Sequence, residues 1–258
     1  MKGTMKTKLK QRRVIFFLVL EFLLYISFLF IDIFHMKYLH LSVWIKFIGI
    51  LVCFLFVLSR DSLTTKNHRY VIESKTDSCI MATALAFTVL SDYFILVRNI
   101  YIPGLITFIA VQILYLVRLS LWERMDKKEN KSIKKLLFLI YPNIILCLLI
   151  LLLLHMSSIR FEPILVLSTF YFISIIRNTI KAVYAALKKR HKAAVTFAGG
   201  MVLFLLCDIN VGIFNLSDFV TLPYLIFSKL YEFSVIGMWL FYLPSQVLVA
   251  LSCEIKKE

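Results

Sequence analysis

Two aspartates lie inside long apolar stretches of the chain, Asp92 at the end of LAFTVLSD and Asp208 at the end of MVLFLLCD. A charge within a bilayer is costly, so such groups usually face a protein interior or a water-filled cavity and serve a function. Two carboxyl groups held away from water can divide acid and base roles, one keeping its proton while the other is ionised. Asp92 and Asp208 are therefore candidate functional groups, and catalysis by an acid–base pair is one task that they could perform.

Polar side chains with helical spacing occur at about the same depth in other apolar stretches. Tyr242 and Gln246 are four residues apart, and Gln112 and Tyr115 are three apart. Each pair therefore lies on one face of a helix. We expect both pairs to line the cavity that holds the aspartates and to bind the substrate.

Two cations, Lys46 and Arg177, also fall inside apolar stretches. Either can bind the phosphate of a lipid, and Arg is better suited to a bidentate contact. The same cations permit a structural alternative, in which Asp92 and Asp208 pair with Lys46 and Arg177 and only fix the helix packing. A second alternative is a transporter or channel with these charges as a proton or ion relay, and a third is a non-catalytic scaffold.

The elements that carry these residues are apolar stretches of membrane-spanning length. The 258 residues are 60% hydrophobic and 17% charged, with a mean hydropathy of +0.85, whereas an ordinary soluble domain is about half apolar and a quarter charged. Alternation with a period of two, as in barrel strands, is absent, so helices are expected. The fold class predicted is all-α, a polytopic integral membrane protein with eight transmembrane helices. The spans predicted are Val14–Phe34, Leu41–Leu58, Cys79–Val97, Ile100–Leu121, Leu136–His155, Pro163–Leu187, Ala194–Phe214 and Ile226–Leu251.

The basic residues predict the orientation of these helices. Lys and Arg concentrate in alternate loops and at both chain ends, which places both ends in the cytoplasm. The opposite side carries only Lys37, Arg98, Arg160 and Lys229. We expect a basic cytoplasmic segment over 1–13, one membrane domain over 14–252 and a cytoplasmic tail over 253–258. Attraction to membrane lipids accounts for the net charge of +15, so no nucleic-acid partner is expected.

The two aspartate segments also suggest a weak internal repeat. They belong to the third and seventh spans, which run in the same direction across the membrane. A four-plus-four parallel repeat about an axis normal to the membrane would place the two segments in equivalent positions.

Cysteine and histidine spacing gives no sign of a metal or cofactor. The five cysteines are scattered through apolar stretches, and the five histidines lack the paired spacing of a zinc site. We expect no metal and no cofactor.

The aspartate segments carry a resemblance to a known family. The stretches LAFTVLSDYFILVRNIYIPGLITFIAVQILYL, GGMVLFLLCDINVGIF and WLFYLPSQVLVA resemble the two aspartate helices and the last helix of the YhhN-like lysoplasmalogenases. The resemblance places the two acidic positions of the family on Asp92 and Asp208, and its late Tyr and Gln on Tyr242 and Gln246. Lys46 is similar to a lysine early in the second helix of the family. The chain departs from the family pattern at Gln112, where His is common, and at Phe47, where Pro is expected.

The resemblance implies a membrane hydrolase that cleaves the alkenyl ether of lysoplasmalogens to a fatty aldehyde and a glycerophospho-headgroup. Its partner would be a lysophospholipid substrate, and the oligomeric state is left open. Richness in Lys, Ile and Phe is typical of an AT-rich bacterial genome and favours a bacterial plasma membrane.

Overall fold

The computed structural model describes residues 2–34, 39–59, 68–127, 134–156, 162–215 and 224–254. These residues form helices almost throughout, and no strand occurs among them. The bounds are α1 Lys2–Phe34, α2 Leu39–Leu58, α3 His68–Asp92, α4 Tyr101–Lys127, α5 Lys134–Met156, α6 Pro163–Lys189, α7 Lys192–Phe214 and α8 Tyr224–Glu254, with a π-helical turn at Tyr93–Val97. The prediction of an all-α membrane protein with eight helices is confirmed.

Seven of the helices contain a stretch long and apolar enough to cross a membrane. The eighth, α5, carries a shorter apolar stretch over Ile140–Met156. The large apolar side chains on the outside of the bundle, such as Phe16, Phe22 and Leu148, are 60–70% exposed. In a soluble protein such a surface would be a large unprotected apolar patch, whereas in lipid it is the expected outer face.

Local sequence features set where several helices begin and end. Pro163 stands at the first turn of α6, where its missing N–H is not needed. Arg190 adopts a left-handed conformation (φ 51°) that ends α6. His191 then caps α7, its Nδ1 accepting the N–H of Ala194 at 2.9 Å. The connection between α6 and α7 is therefore tight, and the two helices pack as antiparallel neighbours.

The packing of the helices has an internal symmetry. Within the first half α1 packs on α2, α2 on α3 and α3 on α4; within the second half α5 packs on α6, α6 on α7 and α7 on α8. Between the halves, α2 contacts α8 and α6 contacts α4. Every one of these contacts has its counterpart in the other half, which is the arrangement that a four-plus-four repeat predicts.

The start of α1 and the end of α8 lie at the same end of the helix bundle. The ammonium of Lys10 near the start of α1 lies 3.2 Å from the carboxylate of Glu254 at the end of α8. An even number of crossings requires this arrangement, and assigning that side to the cytoplasm stays a prediction. Residues 255–258 of the predicted tail, and the predicted outer cations Lys37 and Arg160, lie outside the described residues.

Candidate functional site

Asp92 is the last residue of α3, where the helix changes to the π-helical turn Tyr93–Val97. Such turns often occur at functional positions because they rotate the side chains that follow. The hydroxyl of Tyr242 on α8 donates to this carboxyl group and lies 2.9 Å from Oδ1 and 2.8 Å from Oδ2. Asp92 is only 3% exposed. Its neighbour Ser91 binds Thr107 on α4 at 2.6 Å, which fixes this end of α3.

Asp208 on α7 has a matching partner on another helix. The hydroxyl of Tyr171 on α6 donates to its Oδ2 at 2.7 Å. Tyr171 is buried, whereas Asp208 itself is partly exposed. Each of the two aspartates is therefore held by one tyrosine hydroxyl from a different helix.

A chain of aromatic rings connects the two acid–tyrosine pairs. The ring of Tyr171 lies 5.8 Å from Phe108, Phe108 lies 6.1 Å from Phe204, and Phe204 lies 5.7 Å from Tyr242. Cys207, which directly precedes Asp208 in α7, is buried. The two aspartates, which are distant in sequence, thus belong to one interior region lined by apolar rings.

Two close approaches allow α8 to present Tyr242 to this region. Gly200 on α7 faces the backbone of α8, and a Cβ there would lie 3.0 Å from the carbonyl oxygen of Ser245. Pro244 lacks an N–H, so the carbonyl of Leu240 loses its partner within α8. The hydroxyl of Tyr25 on α1 donates to that carbonyl at 3.0 Å. The segment around Tyr242 is therefore held from both sides.

The structural alternative predicted ion pairs between the two aspartates and Lys46 and Arg177. The described side chains do not form them, because Lys46 lies 2.7 Å from Asp32 on α1 and Arg177 donates to Asn143 on α5 at 2.6 Å. Within the described part of the chain, neither Asp92 nor Asp208 forms a salt bridge.

Lys46 occupies a site beside the acid–tyrosine region. Its ammonium lies 4.4 Å from the ring centre of Trp239 and 5.6 Å from that of Phe28. Trp239 also contacts the ring of Tyr242 at 5.5 Å. Trp239 thus lies between Lys46 and Tyr242, two of the residues predicted to bind substrate. Arg177 bonds instead to the neighbouring α5.

The predicted amide and phenol groups are all buried. Asn178 on α6 donates to both the side-chain and the backbone oxygen of Gln112, at 3.0 and 2.8 Å. The Gln112 Nε2 and the Gln246 Oε1 have no hydrogen-bond partner among the described residues. Tyr115 is fully buried and its ring packs on Phe197 at 5.5 Å. Buried amide atoms without a partner cost about 1–3 kcal/mol each, so their retention favours a polar ligand or water beside them.

Two residues of this region escaped the sequence reasoning. Tyr171 lies in the aromatic stretch STFYFIS, where nothing distinguishes it from the neighbouring phenylalanines except its hydroxyl. Asp32 lies near the end of its helix, a position that predicts a solvated group, yet its side chain is only 12% exposed and binds Lys46 and Ser42. Several acids within the apolar spans of one chain are a signal that each needs a partner.

No group of three or more His, Cys, Asp or Glu side chains that could hold a metal ion occurs in the ranges that the structure describes. The chemistry available in the interior is that of carboxyl, phenol, amide and ammonium groups. The described residues therefore place the chain in a broad class, helical membrane proteins with intramembrane carboxyl groups that no described cation neutralises, and such groups are candidates for a functional site.

The comparisons with known proteins agree with that class. The family model of the YhhN family matches residues 41–253, which is most of the chain. The chain therefore belongs to the YhhN family, the family of lysoplasmalogenases. No curated protein and no solved structure matches it. The match takes in both aspartates and both tyrosines, and α1 with Asp32 precedes it.

Proposed function

We propose that this protein is a membrane-embedded hydrolase that cleaves the alkenyl ether bond of lysoplasmalogen-type lysolipids. The observation that carries the proposal is the pair of aspartates in one apolar interior, each held by a tyrosine hydroxyl and neither joined to a cation of the described residues. Membership of the YhhN family supports the substrate class. We place the protein in a bacterial plasma membrane because of its membrane fold and its composition.

The reaction needs one proton donor and one proton acceptor. A carboxylic acid gives its proton to the outer carbon of the alkenyl double bond, which leaves an oxocarbenium ion at the carbon bonded to oxygen. Water adds to that carbon and loses a proton to the second carboxylate, forming a hemiacetal. The hemiacetal breaks its bond to the glycerol oxygen, which takes up a proton, and releases the fatty aldehyde. The surrounding rings exclude bulk water, which strengthens the electrostatic action of both carboxyl groups.

We also assign roles in substrate binding to the other polar residues. We assign the phosphate of the lysolipid to Lys46, because Trp239 links Lys46 to Tyr242 through direct contacts. Binding there requires Lys46 to release or share its ion pair with Asp32. The unpaired amide atoms of Gln112 and Gln246 are suited to hold water or the glycerol hydroxyl groups. Arg177 is bonded to Asn143, so a role in substrate binding requires that bond to open.

Isotopic labelling of the product tests this proposal directly. Purified protein in lipid is incubated with a panel of lysolipids that carry an alkenyl ether, an alkyl ether or an acyl ester at the same position. We expect aldehyde from the alkenyl ether alone. In deuterated water the aldehyde should carry one deuterium on the carbon next to the carbonyl, and in water labelled with oxygen-18 it should carry the label on oxygen, provided that it is reduced at once to the alcohol.

The result that would overturn the proposal is a wild-type protein that releases no aldehyde from any alkenyl lysolipid. Flux of protons or ions through protein-containing vesicles, measured on the same sample, would then favour the transporter alternative. Release of fatty acid from the ester would instead indicate a different hydrolase.

A further inference from the structure

We propose that the two aspartates are not equivalent: Asp208 meets the alkenyl ether and donates the proton to carbon, whereas Asp92 acts on the site only through the Tyr242 hydroxyl. This inference rests on the proposed function. It assigns the acid and base roles that the sequence leaves open.

The hydrogen bonds of the two carboxyl groups differ. Tyr242 lies against both oxygens of Asp92, at 2.9 and 2.8 Å. Tyr171 bonds to Oδ2 of Asp208 alone, at 2.7 Å, and Oδ1 has no hydrogen-bond partner among the described residues. A carboxyl group with one uncovered oxygen can present a proton to a substrate, whereas one covered on both oxygens cannot do so without moving its partner.

The accessibility of the two groups differs in the same direction. Asp92 is enclosed, with 3% of its surface exposed. Asp208 is partly exposed and lies between the buried Cys207 and the outward-facing Ile209, which is 40% exposed. Asp208 is thus at the boundary between the interior and the lipid-facing side of α7. Its own partial exposure makes Asp208 more accessible to a lysolipid than the enclosed Asp92.

Tyr242 is oriented to connect Asp92 with a water molecule. Its hydroxyl hydrogen is donated to Asp92, so the lone pairs of its oxygen are available to accept a hydrogen bond from water. When that water adds to the oxocarbenium carbon, its proton passes to the Tyr242 oxygen while the tyrosine proton passes to Asp92. Collapse of the hemiacetal restores the starting state, because Asp92 returns a proton through Tyr242 to the glycerol oxygen and the hemiacetal hydroxyl reprotonates Asp208.

A double-mutant cycle on Asp92 and Tyr242 tests the inference. The variants are Asp92→Asn, Tyr242→Phe and the two changes combined. Tyr141→Phe is the control, because it makes the same chemical change on α5 at a tyrosine that is 58% exposed. If Asp92 acts only through Tyr242, each single variant lowers kcat by about 10²-fold and the double variant is no worse than either. Tyr141→Phe should keep the wild-type kcat.

A solvent isotope effect on kcat separates this role from a structural one. Slow protonation of carbon gives the wild type a large effect in deuterated water. In Asp92→Asn and Tyr242→Phe the later steps become slow, so we expect the effect to fall to the same smaller value in both. Thermal unfolding of each variant in lipid reports whether it is folded.

Two outcomes would overturn the inference while leaving the proposed function intact. One is a double variant whose loss equals the product of the two single losses; the other is an Asp92→Asn variant that is inactive beside a Tyr242→Phe variant that is fully active. Absence of aldehyde from the wild type would instead refute the proposed function itself.

Discussion

Two buried aspartates on the same helix, Asp77 and Asp92, have opposite surroundings. They are 4% and 3% exposed; Asp92 is the last residue of α3, and Asp77 lies nearer the middle of the helix. Asp77 faces the guanidinium of Arg118, with its Oδ1 3.0 Å from Nε and its Oδ2 3.3 Å from a terminal nitrogen, and also accepts from the indole of Trp122 at 2.9 Å. Asp92 faces the hydroxyl of Tyr242 and no cation among the described residues.

The difference shows that burial alone does not identify a functional carboxyl group. Arg118 is fully buried, stacks on Trp122 and Phe197 at 4.6 Å, and donates to Ser252 on α8 at 2.7 Å. A charge pair satisfied this completely joins α3, α4 and α8, so its burial has a structural explanation. Among the described residues Asp92 and Asp208 lack such compensation, which is costly for stability and is expected where a site needs an exchangeable proton.

The largest expected effect follows from replacing the acid that meets the substrate. Asp208→Asn should lower the rate of aldehyde release by about 10²–10⁴-fold, because the amide cannot donate a proton to carbon. Its shape is nearly unchanged and its oxygen can still accept from Tyr171, so the midpoint of thermal unfolding should stay close to that of the wild type. Aldehyde is measured by mass analysis of the reduced product. Wild-type turnover by this variant would exclude Asp208 as the donor.

Breaking the ion pair between Arg118 and Asp77 should have the opposite result, a loss of stability without a loss of activity. Arg118→Met leaves the carboxylate of Asp77 buried without its cation, so we expect the free energy of unfolding to fall by roughly 3–5 kcal/mol. The rate of aldehyde release per folded molecule should not change. Unfolding is followed in lipid by circular dichroism against denaturant concentration.

A second variant gives the control for that prediction. Combining Arg118→Met with Asp77→Leu removes both charges, and apolar replacements of a buried pair often restore stability. We expect the combined variant to recover most of the loss. A single variant as stable as the wild type would show that the pair contributes little and that burial of Asp77 needs another explanation.

A smaller effect on the rate is expected from replacing the tyrosine that donates to Asp208. Tyr171→Phe removes one hydrogen bond to Oδ2 and leaves Oδ1 free to act, so the rate should fall by about tenfold, which corresponds to about 1.4 kcal/mol. The comparison with Tyr242→Phe is informative, because the same chemical change should cost more at Asp92. Equal losses in kcat for the two phenylalanine variants would argue that the two acids are equivalent.

The helices were predictable from the sequence because hydropathy is a local property. All eight were found, and Asp92 and Asp208 were recognised because a charge inside an apolar stretch is visible in the sequence itself. The partners of these charges were not predictable. Which hydroxyl reaches which carboxyl group depends on the neighbours of each helix and on its rotation about its own axis, and a single sequence does not specify either property.

Particular residues show where that limit lies. Tyr242 was singled out by its spacing from Gln246 and its depth, whereas Tyr171, which does the same for Asp208, stands among similar aromatic residues. Arg177 was expected in the cavity on depth alone, but the rotation of α6 directs it to Asn143 on α5. The depth of a residue in the membrane can be predicted from the sequence, but the direction in which its side chain points cannot.

The smallest effect on stability is expected at the partly exposed ion pair between Lys10 and Glu254. Lys10 contacts Glu254 at 3.2 Å, but its side chain is 33% exposed and Arg13 binds the same carboxylate. Lys10→Ala should therefore change the free energy of unfolding by less than about 1 kcal/mol, because water and a second cation replace what is lost. The measurement is the same denaturant titration as for Arg118→Met, at low and at physiological salt. A loss as large as that of Arg118→Met would show that exposure does not govern what an ion pair contributes in this bundle.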